Sequence, residues 1–330
     1  MSEIRKDPAS RTWVIVATER ADRPHDLKIK ERRAPTPASD CPFCGDERPI
    51  EDFGVKIEGE VYRVKVLANK FPALRPEENL SMEQADSIYN YLTGVGAHEV
   101  IVESPVHDDT LASMDRSQLE AALYAYVDRL RHWEHDPRMR YVLIFKNYGR
   151  AAGASLFHPH SQLIALPFIP PRITEELDEA KDYFESAEEC VYCRMNSEEL
   201  AHGERMIAEN RSFLAYSPYA ARFPFELRVI PNRHVADFSA SRAAELADLA
   251  AILKDLAGRL SEALGEPPFN FMLHESPLKT SDLVYYHWHL EIIPRLTMPA
   301  GFEWGSGVYI NAVTPERAAR ELREVAVGAR

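Results

Sequence analysis

The chain has 330 residues, 45% of them hydrophobic, enough for one large or two ordinary domains with a sizeable core. Against 39 Lys and Arg stand 52 Asp and Glu, and the net charge of -13 excludes a broad footprint on a nucleic-acid backbone while still allowing small anions to be held locally. The opening "MSEIRKDPASRTWVIVATER" carries charges before and inside its short apolar run, and no apolar stretch reaches about 18 residues, so a cytoplasmic protein without membrane contact is expected.

In chain order, strand-like runs occur at "RTWVIVA", "EVYRVKVLA" and "HEVIVES", followed by the amphipathic helix "RSQLEAALYAYVDRLRHWEHD" and the strands "MRYVLIFKN" and "HSQLIALP". An acidic helical connection, "RITEELDEAKDYFESAEE", follows. The second half then repeats the order: "ERMIAEN", "SFLAYSP" and "FELRVIPN", the helix "SRAAELADLAAILKDLAGRLSEAL", and the strands "FNFMLHES" and "YHWHLEIIPR". Polar residues punctuate this pattern in parallel. Each half has a Cys-x-x-Cys pair, then a histidine after a strand, then the long helix, then His-x-His. The first set is Cys41, Cys44, His107, His158 and His160; the second is Cys190, Cys193, His234, His287 and His289. From His107 to His158 is 51 residues and from His234 to His287 is 53. Four elements in the same order at nearly the same spacing indicate a duplicated α+β unit of roughly 150 residues. We place the boundary between 1–170 and 171–330. Neither half alternates single strands with helices as a parallel sheet would, so an antiparallel sheet with helices packed on it is expected.

All four cysteines are used in the two pairs, and "ASDCPFCGDERPIED" is a polar, Pro-rich loop rather than the strand-to-helix turn of a redox motif. Two tetrahedral Cys2His2 zinc sites follow, Cys41, Cys44, His107, His158 and Cys190, Cys193, His234, His287. With four protein ligands each they would be structural. In a strand His158, His160 and Gln162 share a face. If His158 goes to metal, His160 is left as a rigidly held free imidazole, which is what nucleophilic catalysis uses. Upstream lies "FKNYGRAAGASLFHPHSQ", a loop of small residues with exposed backbone N–H groups that a phosphate can approach, although it lacks the Gly-Lys-Ser/Thr of a Walker loop.

This segment resembles the active-site segment of galactose-1-phosphate uridylyltransferases, a branch of the histidine-triad superfamily. The similarity extends over nearly the whole chain, through "CPFC", "VLANKFPAL", "SPVHDDTL", "HWHLEIIPRL" and "GFEWGSGVYINAVTPERAARELR". The resemblance implies two histidine-triad-like units, the first catalytic, and a ping-pong transfer. His160 would attack the α-phosphorus of UDP-glucose, release hexose 1-phosphate and hold the nucleotide as a phosphoramidate, which a second hexose 1-phosphate (galactose 1-phosphate) then takes. It further implies that Gln162 binds the transferring phosphoryl oxygens with Ser155, Gly153 and Ala154 assisting, that Arg20, Arg23, Asn69 and Asn147 surround the nucleotide, and that Glu303, Gly305 and Tyr309 meet the hexose across a homodimer. Ser161 replaces the glycine of the His-Pro-His-Gly-Gln found in many members, and Lys70 follows Asn69 where some relatives are acidic. Both features, with "GFEWGSGVYINAV", also resemble a branch acting on ADP-glucose with inorganic phosphate as acceptor. In other relatives histidines and a glutamate hold the second metal, which would enlist His274 and His289 in place of the cysteine pair. A histidine-triad hydrolase would carry a third histidine where Gln162 stands. In the second copy Glu291 takes that place and no small-residue loop precedes His289, so a degenerate copy is expected there.

Overall fold

The computed structural model describes residues 2–19, 37–45, 49–84, 88–280 and 283–325. Its elements are β1 (Glu3–Lys6), β2 (Trp13–Val16), β3 (Glu51–Ile57), β4 (Glu60–Ala68), β5 (Met82–Gln84), β6 (Asn90–Leu92), β7 (Ala97–Val102), α1 (Arg116–Glu134), β8 (Tyr141–Tyr148), β9 (His160–Leu166), α2 (Pro171–Ala187), α3 (Val191–His202), β10 (Met206–Glu209), β11 (Phe213–Tyr216), β12 (Leu227–Pro231), α4 (Ala243–Leu264), β13 (Phe269–His274), β14 (His289–Pro294), α5 (Gly301–Ser306), β15 (Tyr309–Asn311) and α6 (Pro315–Glu324). Ten strands form one sheet in the order β10-β11-β12-β14-β13-β8-β9-β7-β4-β3. Every pairing within it is antiparallel. The sheet is mirrored about its centre: β8 and β13, each following a long helix, pair with one another from Tyr148 opposite Phe269 to Ile144 opposite Leu273. The expected α+β fold with an antiparallel sheet is therefore present, and the two repeats share one continuous sheet.

The periodicity explains which face goes where. On β9, Leu163 and Ala165 point with Val64, Val66, Ile101, Ile144, Leu273 and Leu290 into a core covered by α1 and α4. Their neighbours His160 and Gln162 point to the other face. Helix α1 begins at Asp115, whose carboxylate accepts the Ser117 N–H at 2.8 Å, and α4 ends at Gly265 in the left-handed conformation, φ 76°. Outside the sheet, β15 lies parallel to β2, which is antiparallel to β1, so the C-terminal segment is joined to the N-terminal one.

Two groups of buried polar side chains on the helix side of the sheet bear on β9 and its neighbours. Arg129 of α1 reaches both oxygens of Glu99 on β7, at 2.9 and 2.7 Å. One residue beyond β7, Glu103 collects the Tyr126 hydroxyl at 2.8 Å, the Ser161 hydroxyl and the Lys146 ammonium at 2.5 Å, and Lys146 also donates to the His160 carbonyl at 3.1 Å. All four side chains are buried. Burial pushes the Glu103 carboxyl up, but Lys146, Ser161 and Tyr126 outweigh it and hold it below the usual carboxylate range. Ser161, the departure from His-Pro-His-Gly-Gln, thus has a structural role: its hydroxyl ties the His160 strand to β7 and α1. Removing one partner of a buried ion pair strands the other charge. Lys146→Met is therefore expected to cost about 3–5 kcal/mol of stability, and Tyr126→Phe about 1 kcal/mol, in denaturant unfolding.

Candidate active site and metal centres

His160 opens β9, directly after Pro159, and its Nδ1–H donates to the carbonyl of His158 at 2.8 Å. That bond places the ring proton on Nδ1 and leaves the Nε2 lone pair free. The imidazole is 8% exposed. Burial, aided by the Lys146 charge, lowers its pKa to about 4, and the bond to the His158 carbonyl only partly opposes this, so the ring is neutral at neutral pH. Phe43, from the loop between Cys41 and Cys44, packs an edge against His160 at 5.2 Å and against His158 at 5.8 Å, and rests on Leu67, Val100 and Val102.

Gln162 follows on the same face, its Oε1 2.8 Å from His98 Nε2. Asn69 is held close by, its Oδ1 accepting the Phe71 N–H at 2.9 Å and its Nδ2 3.1 Å from the same His98 nitrogen. Asn147 lies across the sheet seam from Asn270, whose amide donates both to Asn147 Oδ1 and to the Ala152 carbonyl at 2.8 Å. This bridge ties the 149–154 loop to β13 and, through Asn147, to β8. Gly149 and Gly153 turn the loop with φ of 79° and 91°, and a Cβ on Gly149 would stand 2.8 Å from Pro268, so glycine is required there. Gly153 and Ser155 are exposed and Ala154 is half-buried, leaving the loop open for a ligand.

Arg20 and Arg23 lie outside the described residues. Glu303 and Gly305 sit on α5 and Tyr309 on β15, away from the large sheet; Glu303 Oε2 accepts the Ala300 N–H at 2.9 Å as a helix cap, and Tyr309 packs on Phe223. No contact among the described residues joins these three to His160.

Both Cys/His sets are assembled. In the first, Cys44 Sγ is 3.2 Å from His107 Nδ1 and 3.3 Å from His158 Nδ1, and Cys41 Sγ is 3.7 Å from His158 Nδ1. In the second, Cys193 Sγ is 3.3 Å from His234 Nδ1 and 3.7 Å from His287 Nδ1, with Cys190 completing the set. Zinc bonded tetrahedrally at its usual S and N distances would place neighbouring S and N atoms about 3.6 Å apart, so the ligand atoms fit a common ion. The second nitrogens agree: His158 Nε2–H donates to the Ser104 carbonyl at 2.8 Å and His234 Nε2–H to the Leu283 carbonyl at 3.2 Å, which turns each Nδ1 lone pair toward the thiols. Both pairs open a helical turn: Cys41 is the N-cap of a 3-10 turn over Pro42–Cys44, and Cys190 is the N-cap residue of α3 with Cys193 in its first turn.

A third cluster, Glu176, His274, His289 and Glu291, is buried beyond the second set. It is the histidine and glutamate alternative, separate from the cysteine pair. Glu291 meets Arg222 at 2.5 Å and Arg228 at 3.5 Å, while Glu176 meets Arg172 at 3.0 Å and lies 3.2 Å from His274 Nδ1. His289 mirrors His160, with Nδ1 3.2 Å from the His287 carbonyl, but its ring is fully buried and burial lowers its pKa to about 3.

Models of the galactose-1-phosphate uridyl transferase N-terminal and C-terminal domains match residues 1–170 and 143–326. The chain belongs to this family. An ADP-glucose phosphorylase of Arabidopsis thaliana is 39% identical over 98% of this chain and 93% of its own length. A galactose-1-phosphate uridylyltransferase of Thermotoga maritima is 30% identical over 99% of each. The solved structure of an Arabidopsis thaliana ADP-glucose phosphorylase with bound ADP-glucose superposes with a TM-score of 0.83 at 34% identity, covering 99% of this chain and 100% of that one. Among the described residues no helix is long and apolar enough to cross a membrane.

The duplicated Cys/His pattern does not point to several residues around the site: His98, Asn270, Lys146, Glu103 and Phe43. Only Phe43, inside "CPFC", had a local signal.

Two outcomes follow from this geometry. Cys41→Ser is expected to lose one metal equivalent per chain by elemental analysis and to lower the unfolding midpoint, because a metal that closes a loop contributes folding energy directly. His289→Ala is expected to lower stability by about 1–3 kcal/mol in thermal unfolding, as deletions of buried side chains do, yet to keep transfer activity; an inactive but folded variant would contradict the separation of the two copies.

Proposed function

We propose that the chain is a nucleotidyltransferase acting on sugar phosphates, of the hexose-1-phosphate uridylyltransferase type, working through a nucleotidyl-His160 intermediate. The observation that carries this reading is the buried, neutral His160 whose Nδ1–H is committed to the His158 carbonyl, so that Nε2 is available without a separate base. In the first half-reaction a P–N bond forms between Nε2 and the α-phosphorus of UDP-glucose as the P–O bond to glucose 1-phosphate breaks. In the second, a phosphate oxygen of galactose 1-phosphate attacks the same phosphorus and the P–N bond breaks, restoring neutral His160. Gln162, with Ser155 and the backbone of Gly153 and Ala154, stabilises the charge that shifts onto the phosphoryl oxygens. Asn69 and Asn147, with Arg20 and Arg23, surround the nucleotide, and Glu303, Gly305 and Tyr309 serve the hexose of a partner subunit in a homodimer. The two Cys2His2 sets hold structural zinc, each closed to substrate by four protein ligands. We read 1–170 as the catalytic unit and 171–330 as its non-catalytic copy, in a cytoplasmic protein that handles neither nucleic acid nor membrane.

A second reading keeps the histidine chemistry and changes the substrate: ADP-glucose cleaved with inorganic phosphate as acceptor. It is favoured by the 39% identity to an ADP-glucose phosphorylase, against 30% to the uridylyltransferase. Intact-protein mass spectrometry after mixing with UDP-glucose or ADP-glucose separates the two. A mass gain of one uridylyl group supports the first and one adenylyl group the second, each absent in His160→Ala; no adduct with either would remove the covalent mechanism.

A further inference from the structure

His98 stands on β7 opposite Ile164, while Gln162 stands opposite Val100, so the two side chains are diagonal neighbours on the face that carries His160. Three contacts settle how they meet. His98 Nδ1 accepts the backbone N–H of Ala73 at 3.2 Å, and a neutral imidazole that accepts at one nitrogen carries its proton on the other. The proton is therefore on Nε2, where Gln162 Oε1 lies at 2.8 Å and accepts it. Asn69 Nδ2, at 3.1 Å from the same nitrogen, is itself a donor and cannot be the acceptor, while Asn69 Oδ1 is already occupied by the Phe71 N–H. The opposite tautomer fails at Nδ1, where its proton would face the Ala73 N–H. With Nε2 protonated, a reversed Gln162 amide would set N–H against N–H.

The carbonyl end of Gln162 is thus held by His98 and its NH2 group is turned away, with no partner among the described residues. We propose that His98 is a positioning residue for nucleotidyl transfer, locking the Gln162 amide so that its two N–H donors face the transferring phosphoryl group. This rests on the reading above that Gln162 meets that phosphate. The reason for such a device is physical. The terminal amide torsion of glutamine is broad and roughly two-fold, so an unheld Gln162 would present its carbonyl oxygen to an anion for part of the time, and a donor aimed in advance costs no reorganisation when charge shifts. An imidazole anchored by backbone at one nitrogen and donating at the other supplies that orientation without adding a charge.

The test is a double-mutant cycle on the single-turnover rate of nucleotidyl-enzyme formation, with whichever of UDP-glucose and ADP-glucose labels the wild type. His98→Leu, which fills the space without a donor, is expected to slow the step by about 10- to 100-fold, the scale on which misplaced reacting groups are felt, while sugar-nucleotide affinity changes by less than about threefold. His98→Gln, which returns an N–H near the position of Nε2, is expected to recover most of the rate. Gln162→Ala is expected to lose about 10²–10³-fold, and adding His98→Leu to it to cost nothing more, because the amide to be oriented is gone. A His98→Leu loss that persists undiminished in the Gln162→Ala background, or no loss in either, would overturn the role of His98 alone. Absence of adduct in the wild type would instead overturn the transfer reading, and this role with it.

Discussion

Strand β9 lies between β7 and β8 with the α1 and α4 core on one face and His160 and Gln162 on the other, so each polar side chain on it must find a partner inside the protein. The rest of the site follows from how those partners are supplied. Ser161, facing the helices, goes to Glu103 beside Tyr126 and Lys146. His158, just before the strand, gives Nε2–H to the Ser104 carbonyl and turns Nδ1 to the thiols. His160 gives Nδ1–H to the His158 carbonyl, and Gln162 accepts from His98. After these commitments the groups on this face with no partner among the described residues are His160 Nε2 and the Gln162 NH2, two residues apart.

The second copy shows what the same backbone does with other side chains. His274 and His289 face one another across β13 and β14, and His289 keeps the bond to the His287 carbonyl. Around them, however, Glu176 and Glu291 meet Arg172, Arg222 and Arg228, and the buried charges close over the imidazole. Breaking any one of these buried pairs would strand its partner charge. Antiparallel pairing of β8 with β13 sets the two copies side by side, so the Asn147–Asn270 seam belongs to both halves.

The Cys41–Cys44 segment connects the first Cys/His set to His160. Its two thiols meet His107 and His158, and the Phe43 between them lies against the His160 ring. That contact removes water from the imidazole and contributes to the burial that keeps it neutral. The first Cys/His set therefore bears on His160 through packing and position.

Much of this could be read from residue order. The strand and helix runs follow from hydrophobic period, the duplication from the spacing of Cys-x-x-Cys, His and His-x-His, and the two four-residue sets from having the right ligand types in the right number. The strand face shared by His158, His160 and Gln162 follows from period-two alternation alone. What the tertiary structure decided is everything that depends on which strands are neighbours. That the two repeats form one ten-stranded sheet, that Glu103 and Lys146 lie under Ser161, that Asn270 reaches Asn147 and that His98 reaches Gln162 are long-range pairings between residues as much as 123 apart in the chain. Periodicity specifies the face a side chain takes; register across strands, set by the whole packed sheet, specifies which side chain it meets there.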